Sequence, residues 1–328
     1  VSDRESPPAG GAARGRAVRV AAPAKLNLVL RILAREATGY HGLESLFVKL
    51  ALHDMVTVRA DVADRTLSVR GPALPPGGLG APAANLAWRA ALAFAEATGW
   101  PEGFAIDLEK HIPVGGGLGG GSADAAAVLR GLNVLAPRPL SPDDLLAVAG
   151  QLGADVPFLT SDAVLAWTWG RGDRLLPLPA LPAMAVTLVA FPVGVDTAAA
   201  YAAFAARREA GGGAPYPGAA AYPAGAFASW PAVCALAAND FEQVVPGLHA
   251  GVAAWLPRVQ AAAAALQAGG QPAIGRLSGS GATCFLLHGV DATAPSGWAV
   301  AAPDAPAAGA LLLATQTATA IVAPEPTA

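Results

Sequence analysis

Between Pro113 and Ala126 the chain reads Pro-Val-Gly-Gly-Gly-Leu-Gly-Gly-Gly-Ser-Ala-Asp-Ala-Ala, and six of the seven residues from Gly115 to Gly121 are glycine. Only Leu118 carries a bulky side chain there. Backbone amides freed of side chains can close around an anion, and the first turn of a following helix adds unpaired N–H groups and its positive dipole end. A plain linker would not run into an alanine-rich helical segment at 123–132 with Ser122 placed to cap it. The segment reads as a phosphate cradle. It constrains the fold, because a strand has to deliver the loop and a core has to back the helix.

The delivering strand is legible upstream. Phe104, Ile106 and Leu108 alternate with Asp107 and Glu109, the pattern of a half-buried strand. Strand character also marks 18–30, 47–52, 54–59, 164–169, 175–178 and 184–191, with 61–70 expected to pair beside the second and third of these. Helical periodicity covers 85–98, 240–248 and 251–268. Ser141-Pro142-Asp143-Asp144 opens a further helix with a cap, a proline at its first position and two acids on its positive end, closing near Leu152 and Gly153. Residues 275–287 read as a strand interrupted by a second small-residue loop, Ser278 to Ala282. The sum is an α+β chain in two lobes. The expected layout is a disordered tail over 1–17, an N-terminal domain over 18–170, a C-terminal domain over 171–316 and a tail over 317–328. A stretch rich in Gly, Ala, Pro and Tyr at 208–229 reads as a mobile insertion.

Composition removes several classes of function. The mean hydropathy of +0.44 comes largely from alanine, and no run of 18 large apolar residues free of charge or proline supports a membrane span. No basic region followed by an apolar one marks a secretory signal, so a cytoplasmic protein is expected. A formal net charge of −3 argues against a nucleic-acid or membrane surface. Cys234 and Cys284 stand far apart and form no metal or disulfide pattern, so no metal is expected from protein ligands alone. Lysine is scarce, at Lys25, Lys49 and Lys110, among eighteen arginines. In such a chain a retained lysine hints at required chemistry.

Two familiar phosphate loops fail. A Walker loop needs Gly-Lys-Ser/Thr at its end, and this loop ends Gly121-Ser122. A dinucleotide fold needs a buried parallel strand before the loop, and an acid about 20 residues beyond it at the tip of a second strand; the strand here alternates and no acid stands at such a strand tip. The loop instead resembles that of the GHMP kinase superfamily, and more closely that of the 4-diphosphocytidyl-2-C-methyl-D-erythritol kinases of non-mevalonate isoprenoid synthesis. Further segments resemble that family in order: Pro23-Ala-Lys-Leu-Asn-Leu28, Gly39-Tyr-His41 with Leu43 and Phe47, Gly153-Ala-Asp-Val-Pro-Phe158, Asn239-Asp-Phe-Glu242 and Ser278–Ala282. The likeness spans roughly residues 20–287. One departure is Ala123, where the family loop usually has a second serine; a phosphate or Mg²⁺ contact would be missing there.

The resemblance implies a two-lobed GHMP kinase fold with the ATP site between an N-terminal and a C-terminal α/β lobe. It implies ATP and Mg²⁺ as cofactors and a small cytidine-diphosphate-linked alcohol as substrate. Asp155 is then the base and Lys25 its partner, since an ammonium in the apolar stretch 21–30 needs a carboxylate. Pro113, Val114, Gly115, Gly116, Gly117, Leu118, Gly119, Gly120, Gly121, Ser122 and Ala123 hold the triphosphate, with Asn85, Leu86 and Lys110 toward the adenine. Asn27, on the same strand face as Lys25, would bind the acceptor alcohol. Tyr40 and His41 would hold the cytidine, with Tyr201 as a second stacking face. His53, His111, His249 and His288 are read as structural. Two alternatives stand beside this reading: another small-alcohol kinase of the superfamily, of homoserine or mevalonate type, and a silent nucleotide-binding regulator on the same scaffold.

Overall fold

The computed structural model describes residues 16–35, 41–211, 222–223, 225–289 and 309–327. Its strands run in chain order as β1 (Ala17–Arg35), β2 (His41–Ala60), β3 (Arg65–Arg70), β4 (Phe104–Glu109), β5 (Leu165–Gly170), β6 (Arg174–Leu178), β7 (Ala185–Ala190), β8 (Ala238–Asn239), β9 (Ile274–Leu277), β10 (Cys284–His288), β11 (Leu311–Gln316) and β12 (Glu325–Thr327). The helices are α1 (Leu86–Thr98), α2 (Gly120–Leu135), α3 (Pro142–Gly150), α4 (Val156–Thr160), α5 (Thr197–Glu209), α6 (Trp230–Leu236), α7 (Val245–Leu248) and α8 (Ala250–Ala268).

Two sheets divide the strands. The first has the order β12-β1-β2-β4-β3, with β5 and β6 joined through β2 and β8 joined to β1. The second has the order β11-β7-β10-β9, all antiparallel. The long β1 belongs to both lobes. Its even residues from Val18 to Leu28 are buried in the first core with α1 and α2, as strand alternation requires, while Leu30 and Ile32 pack with Phe191, Trp255 and Val259 in the second core. Lys25 and Asn27 project on the opposite face, toward the space between the lobes.

Some sequence expectations shift. Residues 65–70 pair in parallel with β4 rather than beside β2, because α1 forms a crossover between β3 and β4. Only 245–248 of the expected 240–248 helix is α-helical; Asp240–Gln243 is a 3₁₀ turn capped by Asn239. A domain border at 170/171 cuts the first sheet, since β6 still belongs to it. Residues 317–328 are no plain tail: Thr317 is buried, its hydroxyl accepts the Met184 amide, and β12 pairs with β1. The expected insertion begins inside α5, which runs to Glu209, and at its far end Tyr222 and Phe227 pack on Trp167. The stretch 212–221 and the N-terminal residues 1–15 lie outside the described residues.

In the second lobe α8 lies directly on β9. A Cβ added to Gly275 would come within 2.0 Å of the Val259 carbonyl oxygen, which is backbone and cannot swing away. Gly275→Ala is therefore expected to push α8 off the sheet and cost about 1–3 kcal/mol, or more if the strand cannot adjust. Urea unfolding of the variant checks this, and an unchanged midpoint would contradict the close packing.

Candidate active site

The glycine loop leaves β4 and is fastened through its carbonyl groups. The Gly116 carbonyl accepts from the Thr283 amide at 3.1 Å, the Gly117 carbonyl from the Ser278 hydroxyl at 2.9 Å, and the Leu118 carbonyl from the Lys25 amide at 2.9 Å. With the carbonyls turned into the protein, the amides of Gly117, Leu118 and Gly119 have no acceptor among the described residues. The helix begins one turn earlier than its expected cap. Gly119, at φ +73°, is the N-cap, so Ser122 falls inside the first turn, and no side chain caps the amides of Gly120, Gly121 and Ser122. A run of unpaired donors at a helix start is an anion site.

Glycine is required by contact as well as by conformation. At Gly117, with φ +76°, a Cβ would stand 2.2 Å from the Ser278 carbonyl oxygen; at Gly119 it would stand 3.0 Å from Lys25 Cγ. The loop is thus pressed against both the second small-residue loop and the lysine. Gly117→Ala is expected to separate the two loops and weaken ATP binding at least tenfold, about 1.4 kcal/mol. Titration with ATP would measure this, and unchanged affinity would argue against a loop built on that contact.

A cavity of about 720 Å³ lies between the lobes and is lined by the loop from Pro113 to Ser122, by Asn85 and Leu86, and by Lys25, Asn27, Asp155 and Tyr201. This falls in the range of small-molecule and cofactor sites. On its far side α4 starts immediately after Asp155, whose side chain is 28% exposed. Asp155 Oδ2 is 3.2 Å from Lys25 Nζ, and Lys25 is 4% exposed. The same ammonium donates to Asn27 Oδ1 at 2.7 Å. Asn27 Nδ2 donates to Ser45 Oγ, which donates in turn to the Val29 carbonyl. The chain of bonds fixes the orientation of both Lys25 and the Asn27 amide. Tyr201, on α5, packs edge-on against Phe241; burial and the neighbouring Asp155 raise its phenol pKa.

Other expected residues are placed differently. Asn85 lines the cavity, and its carboxamide oxygen caps α1 by accepting the Ala87 amide at 2.9 Å. Ala123 is fully buried in the first core and does not line the cavity. Lys110 borders the cavity, but its ammonium is occupied between Asp54 and Asp124. Tyr40 lies outside the described residues, as does the side chain of His41, whose backbone starts β2.

Asp54 and Asp124 were not singled out in the sequence, although a buried lysine beside the loop called for carboxylate partners. Asp54 Oδ1 also accepts the amides of His111 and Ile112, which pins the chain as it enters the loop. Burial alone would lower the Lys110 pKa, but Asp124 and Asp54 outweigh it and raise it. Burial pushes the Asp124 carboxyl up to about 7, with Asp54 adding to the rise and Lys110 opposing it. Asp124 Oδ1 has no hydrogen-bond partner among the described residues. Between the unfolded carboxyl's ordinary pKa of about 4 and its folded value near 7 the folded protein holds the extra proton, so this group's contribution to stability is lost as pH rises through that window. Asp124→Asn removes the loss. Its stability relative to the parent is expected to climb between pH 4 and 7 and level off above, and parallel pH profiles for the two proteins would refute it.

The fold and the glycine loop define a GHMP kinase: residues 85–162 match the family described as GHMP kinases N terminal domain. A 4-diphosphocytidyl-2-C-methyl-D-erythritol kinase of Paracoccus denitrificans is 39% identical over 302 residues, 88% of this chain and 97% of that relative. The chain belongs to that family. A same-named protein of Desulfitobacterium hafniense is 43% identical over 187 residues, a match that spans 61% of its length. A crystal structure of a 4-(cytidine 5'-diphospho)-2C-methyl-D-erythritol kinase superimposes with a TM-score of 0.62 at 33% identity, covering 92% of this chain and 99% of the other.

Proposed function

We propose that the chain transfers the γ-phosphate of ATP to the C2 hydroxyl of 4-diphosphocytidyl-2-C-methyl-D-erythritol, with Asp155 as base. The observation that carries this reading is the Lys25–Asp155 pair, set on the cavity wall where Gly119 packs on Lys25. The loop amides and the start of α2 bind the triphosphate. Asn27, held by Lys25 and Ser45, orients the acceptor alcohol, and Tyr201 offers its ring to the cytidine together with Tyr40 and His41. The acceptor oxygen forms its bond to the γ-phosphorus while its proton passes to Asp155. The bond from that phosphorus to the bridging oxygen breaks, and ADP leaves with the electron pair. Lys25 holds Asp155 in place through the ion pair and stabilises negative charge on the reacting oxygen.

Magnesium fits this site as a companion of the nucleotide. Among the described residues no three His, Cys, Asp or Glu groups converge, so the ion would rely on phosphate oxygens, with the Ser122 hydroxyl at the helix start as a protein donor. When bound it would neutralise phosphate charge. No described helix is long and apolar enough to cross a membrane. Water-soluble substrates such as these suit a cytoplasmic enzyme.

The test follows ADP release from ATP, Mg²⁺ and the cytidyl-methylerythritol substrate. Asp155→Asn is expected to lower turnover about 10²–10⁴-fold, the usual worth of a positioned base, and to leave ATP binding nearly unchanged. Full activity in that variant would remove Asp155 as base. Turnover of homoserine or mevalonate in preference to the cytidyl substrate would reassign the acceptor, and ATP binding without ADP release on any of them would indicate a regulator.

A further inference from the structure

Lys49 has no part in the chemistry above, yet it is 1% exposed and lies directly across from Lys25 in the β1–β2 register. Directly opposed residues of an antiparallel pair project to the same face, so both lysines point toward α4. The Lys49 ammonium donates to the Ser161 carbonyl at 2.7 Å and to the Leu159 carbonyl at 3.3 Å. These lie at the end of α4 where carbonyls have no helical partner and where a cation is favoured. Lys49 Nζ also stands 5.1 Å from the centre of the Phe158 ring on α4. Phe158 stacks on Phe47 at 5.2 Å, and Lys25 Nζ is 5.2 Å from the Phe47 centre. Two ammonium groups thus bracket a pair of stacked rings. One meets Asp155 before the first residue of α4, and the other grips the carbonyls at its end.

We propose that Lys49 is a positioning residue for phosphoryl transfer: it fixes the far end of α4 and so sets where Asp155 stands against Lys25. The inference rests on Asp155 being the base. A five-residue helix has too few internal hydrogen bonds to hold its own place. It is also only about 7.5 Å long, so movement at one end is felt at the other. The site is costly to keep, since burial, with Arg130 adding, lowers the Lys49 pKa to about 7 despite the opposing Asp162. A core position facing Phe158 would hold methionine or leucine without that cost. The two hydrogen bonds to α4 are what the lysine supplies in return.

The experiment compares the full chain with Lys49→Met and Lys49→Arg, alongside Asp155→Asn. Lys49→Met is expected to lower kcat about tenfold or more while KM for ATP moves less than about twofold, since a base displaced by an ångström loses rate and not nucleotide affinity. Its amide hydrogen exchange should quicken at residues 156–161 and stay unchanged elsewhere. Lys49→Arg, which keeps charge and donors, should recover most of kcat. Normal kcat in folded Lys49→Met overturns the proposal, as does exchange that quickens throughout the protein in step with lost activity. If Asp155→Asn alone keeps full turnover, the reading of Asp155 falls, while the exchange result still reports whether Lys49 holds α4.

Discussion

Strand β1 is the member on which the rest of the molecule depends. One edge pairs with β2 along nearly its whole length. The other edge is divided among segments far apart in sequence: β12 at residues 17–19, β8 at residues 29 and 30, and between them the Leu118 carbonyl, which accepts the Lys25 amide. The glycine loop therefore occupies a place on a sheet edge. A loop of small residues would otherwise sample many conformations, and ordering it costs entropy at every glycine. Fastening its carbonyls to β1, Ser278 and Thr283 meets that cost before a nucleotide arrives and leaves the amides facing the cavity.

The three lysines of the chain are all buried, and each is compensated differently. Lys25 meets the half-buried Asp155 and the Asn27 oxygen. Lys110 sits between two fully buried carboxylates. Lys49 is held by backbone carbonyls and an aromatic face, with Asp162 as a supporting charge. Buried charges of this kind contribute little net stability, because desolvation offsets most of the attraction. What they provide is position: of the loop's entry through Asp54 and Lys110, and of α4 through Lys25 and Lys49. The site is electrostatically arranged at the expense of the core around it, as a reaction that builds charge on transferring oxygens requires.

Much of this was legible in the sequence because the loop and the alternation of strands and helices rest on short segments with strong local rules, while the Lys25–Asp155 pairing was implied by the family resemblance of their two segments. The scarcity of lysine pointed to the three residues that prove to be buried. Contacts between distant segments were less legible. Nothing local tells that 65–70 pairs with β4, that the helix cap moves back from Ser122 to Gly119, or that the Ala123 methyl turns into the core. Nothing local marks Lys110 as a buried ion-pair member, since Asp54 and Asp124 lie 56 and 14 residues away and meet it only when α2 packs beside the sheet. The role of Lys49 was hidden for the same reason, since it depends on carbonyl groups more than a hundred residues further on.

The division of the β1 edge also sets an order of events during synthesis. When a ribosome has released the first 170 or so residues, β1, β2, β4 and β5 can pair and the glycine loop can close on Lys25. The ends of β1 still expose unpaired amides and carbonyls, because β8 and β12 have not been made. Strand edges of this kind are where growing chains stick to one another. The last strand described in the protein pairs with the first, so the N-terminal sheet stays open at this edge until residues 325–327 have been made, and shielding of that edge in the meantime falls to whatever the cell places beside the ribosome exit.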